Sequence, residues 1–229
     1  MIAGRAAEVL LCERAQSRIT DLAGGEDLAE IGLWADRIRS NQNYADTGPW
    51  HYMNIRTGGR LTDFEHPPEG DVLWAIGHFS DQLGDETLGR VEHVEALKFL
   101  VHFIVDLHQP LHVGLAEDRG GNTVNLEFRG EDTNLHRFWD THAIESSGLS
   151  VGAFARSLRG DIVDAAEPVS LDPLVWAAES LALRARVYDF GRAGREPPRR
   201  YIDFAGRTTR ERLSVAARRL AGTLNDLFC

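Results

Sequence analysis

Apolar residues recur at helical intervals through most of this chain. Between residues 4 and 23, Ala6, Val9, Leu10, Ile19 and Leu22 keep near-helical spacing, and Gly24-Gly25 closes the run. The segment 27–40, DLAEIGLWADRIRS, repeats the pattern, with Asp27 placed to cap it. The Asn, Gly and Pro content of NQNYADTGPWHYMNIRTGGR predicts a loop. Helices are predicted over 69–84 and 90–109, the second apolar nearly all round and ended by Pro110. GLAEDRGGN reads as a loop. The alternation in TVNLEF, followed by RGED and TNL, predicts a small hairpin. Helix returns over 135–147. Two long amphipathic helices close the chain in PLVWAAESLALRARVYDF and TRERLSVAARRLAGTLNDLF, the latter with its Arg residues expected on the outer face. The fold class is mainly α: one multi-helix domain over 1–229 with a small β-hairpin.

Composition narrows the reading. The 229 residues are 43% hydrophobic and 26% charged, and no run reaches the roughly 18 apolar residues of a membrane span. The net charge is -10 with histidines neutral, so a nucleic-acid partner would be held locally and not by a broad positive field. Bound divalent cations would supply that local charge and are outside the formal count. Two cysteines, Cys12 and Cys229, define no disulfide framework. The start MIAGRAAEVLLCERAQ lacks the ordered basic, apolar and small-residue regions of a signal peptide.

The polar residues inside the most apolar helix carry the chemistry. HFIVDLHQPLH, 102–112, holds three His and one Asp among Phe, Ile, Val and Leu. His102 and Asp106 are four apart and share a face; His112 follows Pro110. NLHRFWD repeats the spacing with His136 and Asp140, while Asp36 and His51 lie upstream. Buried without compensation, a carboxylate costs several kcal/mol, and a cation is the simplest remedy. Nitrogen and carboxylate ligands without thiolate suit zinc at a hydrolytic centre. Seven candidate ligands exceed what one tetrahedral ion takes, so at least two ions are implied. His108 lies on another face and reads as a core hydrogen-bond partner. His66, His78, His93 and His142 read as surface or packing positions. The five Trp read as core, with Trp50 and Trp139 shielding the ligands beside them.

At these residues the sequence resembles the S1/P1 nuclease family, zinc-dependent enzymes acting on single-stranded DNA and RNA. The matching stretches are WADRIR (34–39), PWHY (49–52), FLVHFIVDLHQPLHVG (99–114), DRGGN (118–122) and NLHRFWD (134–140), with WAAES and RRLAGTLN near the end. The resemblance implies a phospholipase C/P1 nuclease-like helical fold and up to three zinc ions. Asp36, His51, His102 and Asp106 would hold the first, His112, His136 and Asp140 the second, and Asp106 would bridge to the third. It further implies that Arg39 stabilises charge on the phosphate, that Asp106 belongs to the catalytic centre, and that Tyr52 and Asn54 contact substrate, Tyr52 by stacking on a base. The expected reaction gives 5'-phosphate products from single strands, and 3'-nucleotides are a candidate further substrate. The expected enzyme is a monomer, secreted or periplasmic, with no stable protein partner.

Two departures from the family pattern stand out. The family's mature chain begins with a Trp, followed about five residues later by a His, which complete the third site. Here MIAGRAAEVLL resembles the helix after that His, so the chain is expected either to be truncated at its N-terminus or to be a natural variant without the third ligand set, its third site incomplete in both cases. Asn54 stands where some members carry Asp; Asn hydrogen-bonds but takes no proton. The alternatives are a phospholipase C-like zinc hydrolase, and a metal-binding member with weak or no turnover.

Overall fold

The computed structural model describes residues 1–165, 168–191 and 196–229. Its centre is α6 (Arg90–Asp106), packed on α5 (Val72–Gly84). Six consecutive residues of α6, Phe99 to Ile104, are buried, which explains why this helix shows no polar stripe. Asp71 caps α5 by accepting from the amides of Leu73 and Trp74 (2.8 and 3.1 Å). α6 stops at Asp106, before the proline that the sequence points to as its end.

The first predicted helix is two. α1 (Ile2–Ala7) runs into a single 3₁₀ turn, the chain extends at Leu11, and α2 (Glu13–Ala23) restarts with Cys12 as its N-cap. A tertiary clamp holds the break. Asn225 accepts from the Cys12 amide and donates to the Leu10 carbonyl, both at 2.9 Å, and Cys12 is disulfide-bonded to Cys229. The second predicted helix is likewise α3 (Leu28–Ile31), capped by Asp27 as read, and α4 (Trp34–Arg37). The stretch read as loop after it is largely 3₁₀ turns over Gln42–His51.

β1 (Asn125–Phe128) pairs antiparallel with β2 (Glu131–Asn134), Leu126 opposite Thr133. α7 (Leu135–Arg137) then passes through a π-helical turn, Phe138–His142, into α8 (Ala143–Glu145). α9 (Val151–Ser157) and α10 (Arg159–Val163) lead to α11 (Pro173–Val187). The last helix, α12 (Arg199–Phe228), spans 30 residues and packs on α1, α2, α6 and α8.

α12 corrects one expectation. Its Arg residues do not all face outward: Arg212 and Arg219 are buried. Both pair with Glu179 of α11 at 2.6 Å. Arg219 also donates to His108 Nε2 (3.0 Å), Arg212 donates to the His108 carbonyl (3.1 Å), and His108 Nδ1 donates to the Ile104 carbonyl (2.7 Å). Burial, then the neighbouring Arg212, holds the His108 imidazole well below its ordinary range, so it is neutral. His108 is therefore a core hydrogen-bond partner, as its helix face suggests. Among the Trp residues, Trp139 and Trp176 are core, whereas Trp74 is 41% exposed and stacks on His78.

Candidate metal centre

Three tertiary contacts bring the segments with the candidate ligands together. The chain after His51 runs beside the turn carrying His112, with Met53 N donating to His112 O (2.8 Å) and Ile55 N to Gly114 O (2.9 Å). Arg184 of α11 reaches the carbonyls of Ile55 and Gly114. Ser180, one turn earlier, donates to the Leu107 carbonyl at 2.7 Å. α11 thus supports the floor from behind.

The first group is Asp36, His51 and His102, with Asp106 against it. His51 Nδ1 lies 2.9 Å from Asp106 Oδ2 and 3.0 Å from His102 Nε2. His102 Nε2 is 3.0 Å from Asp106 Oδ2 and 3.8 Å from Asp36 Oδ1. Four ligands at zinc distances of about 2.0–2.1 Å would sit about 3.3 Å apart at tetrahedral corners. The observed edges bracket that value. His102 Nδ1 donates to the Gly32 carbonyl (2.7 Å), which in a neutral ring leaves Nε2 a lone pair facing the carboxylates. The two imidazole nitrogens and the Asp106 and Asp36 carboxylate oxygens converge on one point, an arrangement that a bound cation would satisfy. Burial depresses the His102 pKa, but Asp106 and then Asp36 override it and raise it to about 9. Burial would raise Asp106, yet His102 and His112 hold it well below the ordinary carboxylate range.

The second group is His112, His136 and Asp140. His136 Nε2 is 3.2 Å from Asp140 Oδ2, and His112 Nε2 is 3.7 Å from Asp140 Oδ1. His136 Nδ1 donates to the Gly120 carbonyl at 2.7 Å, again freeing Nε2. Gly120 has φ +65, and a Cβ there would stand 2.5 Å from the Leu111 carbonyl, so the loop can approach only as glycine. The imidazoles of His112 and His136 stack at 5.1 Å. His112 Nδ1 is buried without a hydrogen-bond partner, 3.6 Å from Asp106 Oδ1. Burial, outweighing Asp106 and Asp140, lowers the His112 pKa. For Asp140 burial acts upward, but His136 and His112 bring it down. The residues present fit metal ions at both groups. Among the described residues no third set of ligands converges.

Both groups open into one cleft of about 970 Å³. Arg39 lines it, 3.7 Å from Asp36 Oδ1, and so does the exposed Tyr52. Asn54 lines it too, its Oδ1 buried and unpartnered. The S1/P1 Nuclease family matches residues 1–229. The chain belongs to that family. It is 31% identical to Endonuclease 4 of Arabidopsis thaliana over 231 residues, covering 88% of this chain and 77% of that protein. It is 29% identical to Endonuclease 3 of the same plant, covering 92% and 79%. Nuclease P1 of Penicillium citrinum is 36% identical over 120 residues, half of this chain and 44% of that one. As an S1/P1 nuclease the chain is a phosphodiester hydrolase of single-stranded nucleic acid, with the mainly helical fold that the sequence indicates.

Sequence reasoning passed over Gln109. Its Nε2 donates to Asp140 Oδ1 (2.7 Å) and its Oε1 accepts from the Leu111 amide (2.5 Å). One amide side chain thus ties the turn bearing His112 to Asp140, a candidate ligand on the next helix. Its place in QPLH was visible, but which carboxylate it would reach was not. The Gly32 and Gly120 carbonyls that orient the imidazoles carry no side-chain signal at all.

Proposed function

We propose that this chain is a zinc-dependent nuclease that cuts single-stranded DNA and RNA to leave 5'-phosphates, and that it also hydrolyses 3'-nucleotides to nucleoside and inorganic phosphate. Asp36, His51, His102 and Asp106 would hold one ion, and His112, His136 and Asp140 a second. Asp106 Oδ1, which faces His112 Nδ1 at 3.6 Å, would be the oxygen available to a further ion. The reading is carried by one observation: two nitrogen–carboxylate sets whose lone pairs converge in a shared cleft. Zinc held by these residues would activate water and offset charge on phosphoryl and leaving oxygens.

The chain's own groups do the rest. Arg39 presents a permanent cation to a phosphate held over the first group. Tyr52 offers an exposed ring for a base, a contact tolerant of sequence. Asn54 Oδ1 accepts a hydrogen bond from substrate; as an amide it does not serve as a general base. The carbonyls of Gly32 and Gly120 keep His102 and His136 in the tautomer that presents Nε2. The Cys12–Cys229 disulfide supports residence in an oxidising, exported location.

The test is cleavage of single-stranded DNA, single-stranded RNA and duplex DNA by folded protein carrying measured zinc. Single strands should be cut to 5'-phosphates and duplex spared. A fully metallated sample that cuts no nucleic acid overturns the assignment, and turnover of phosphatidylcholine instead would move it to the phospholipase C-like reading.

A further inference from the structure

Two guanidiniums on the cleft rim have no role in the mechanism above. Arg119 and Arg137 both line the cleft, both are exposed, and neither forms an ion pair among the described residues. The carboxylate nearest Arg119 in sequence is committed elsewhere: Asp118 Oδ1 accepts from Gly121 N (2.7 Å) and from Tyr188 OH (2.9 Å).

The backbone around Arg119 is fixed. Its N donates to the Ala116 carbonyl, its own carbonyl accepts from Asn122 Nδ2 (2.9 Å), and Gly120 N donates to Leu115 O (2.8 Å). Within this bracing Arg119 has φ +58, in the left-handed region disfavoured for side chains. A glycine would hold that conformation with less strain, yet the loop carries a long cation there. Arg137 is placed by Asn134 Oδ1, which accepts from its amide at 2.8 Å.

The two positions are adjacent in space because His136 joins them. His136 Nδ1 donates to Gly120 O (2.7 Å) and His136 N to Gly121 O (3.3 Å). Arg119 precedes one end of that contact and Arg137 follows the other. They flank the second metal group, while Arg39 stands beside Asp36 of the first. In a chain of net charge -10, whose cleft floor holds three carboxylates, unpaired rim cations are sited to meet an anion.

Resting on the nuclease reading, we propose that Arg119 and Arg137 form a subsite for a second phosphate of the strand, next to the scissile one on the His136 side. This subsite makes the enzyme favour strands over minimal substrates. Guanidinium suits the role because it stays charged and presents a fork of donors to phosphate oxygens.

The experiment compares oligothymidylate with a dinucleoside monophosphate, whose only phosphate is the scissile one. For the double variant Arg119→Ala/Arg137→Ala, kcat/KM on the oligonucleotide should fall at least tenfold more than on the dinucleoside monophosphate, mainly through KM. Its salt dependence should weaken by about 0.7 in log–log slope, one phosphate's worth on a single strand. Arg119→Lys/Arg137→Lys should keep the wild-type slope. Zinc content and melting temperature report folding, and Arg119→Gly, which relieves the backbone, serves if the double variant misfolds. Equal loss on both substrates, or loss on neither, overturns the subsite. Wild-type protein that cuts neither overturns the nuclease reading itself, a separately visible outcome.

Discussion

Replacing Glu179 with Gln tests whether the polar core beneath the candidate metal centre is held by charge. Glu179 faces Arg212 (2.6 Å) and Arg219 (2.6 and 2.7 Å), whose side chains are 11% and 4% exposed. Removing one partner of a buried pair costs about 3–5 kcal/mol, because the surviving charges stay buried. Glu179 itself is 38% exposed, so water screens part of the loss and the lower end, about 3 kcal/mol, applies. For a chain of this size each kcal/mol moves Tm by about 2–4 °C, giving a drop of about 6–12 °C. Differential scanning calorimetry at neutral pH reads this directly. Asp161→Asn, which breaks the exposed Arg210–Asp161 pair, is the control and should move Tm by under about 3 °C. The pH dependence is an independent check. Burial pushes Glu179 upward, but Arg219 and Arg212 prevail and depress its pKa from 4.5 to about 2. A depressed carboxylate stabilises the fold above its unfolded pKa and loses that contribution as pH falls through the folded one. The gap between wild type and variant should therefore be full above about pH 5 and close as pH falls toward 2. A Glu179→Gln protein melting within about 2 °C of wild type, or a gap independent of pH, would refute the reasoning.

Other expectations follow from the site and the disulfide. Gln109→Leu removes both bonds that tie Asp140 to the His112 turn, so zinc affinity at the second group should weaken about 10- to 100-fold in a chelator competition; unchanged affinity would remove Gln109 from the site. Stripping metal should lower Tm and adding zinc restore it, by about 2.7 kcal/mol at a hundredfold excess over Kd. An apo protein as stable as the zinc-loaded one would contradict the fit of the two groups. The Cys12–Cys229 bond closes a loop of 217 residues of sequence separation, so Cys12→Ser/Cys229→Ser should lose up to about 5 kcal/mol, read by urea unfolding. Two free thiols per chain in protein folded under oxidising conditions would contradict the bond itself.

The sequence by itself determined the helical class, the hairpin and the identity of the polar residues that meet in the cleft. That information is local or periodic: His102 and Asp106 share a helix face at any tertiary arrangement, and so do the residues of NLHRFWD. Tertiary structure decided what spacing does not encode. It broke the first predicted helix at Leu11 through contacts from Asn225 and Cys229, more than two hundred residues away. It turned Arg212 and Arg219 inward, because Glu179 and His108 lie across the packing face and no helical wheel of α12 contains them. It aimed the imidazoles of His102 and His136 by giving their Nδ1–H groups the Gly32 and Gly120 carbonyls as acceptors, groups every residue carries and no composition reveals. Ligand identity is a property of side chains, whereas ligand geometry is set by whatever backbone packs against them.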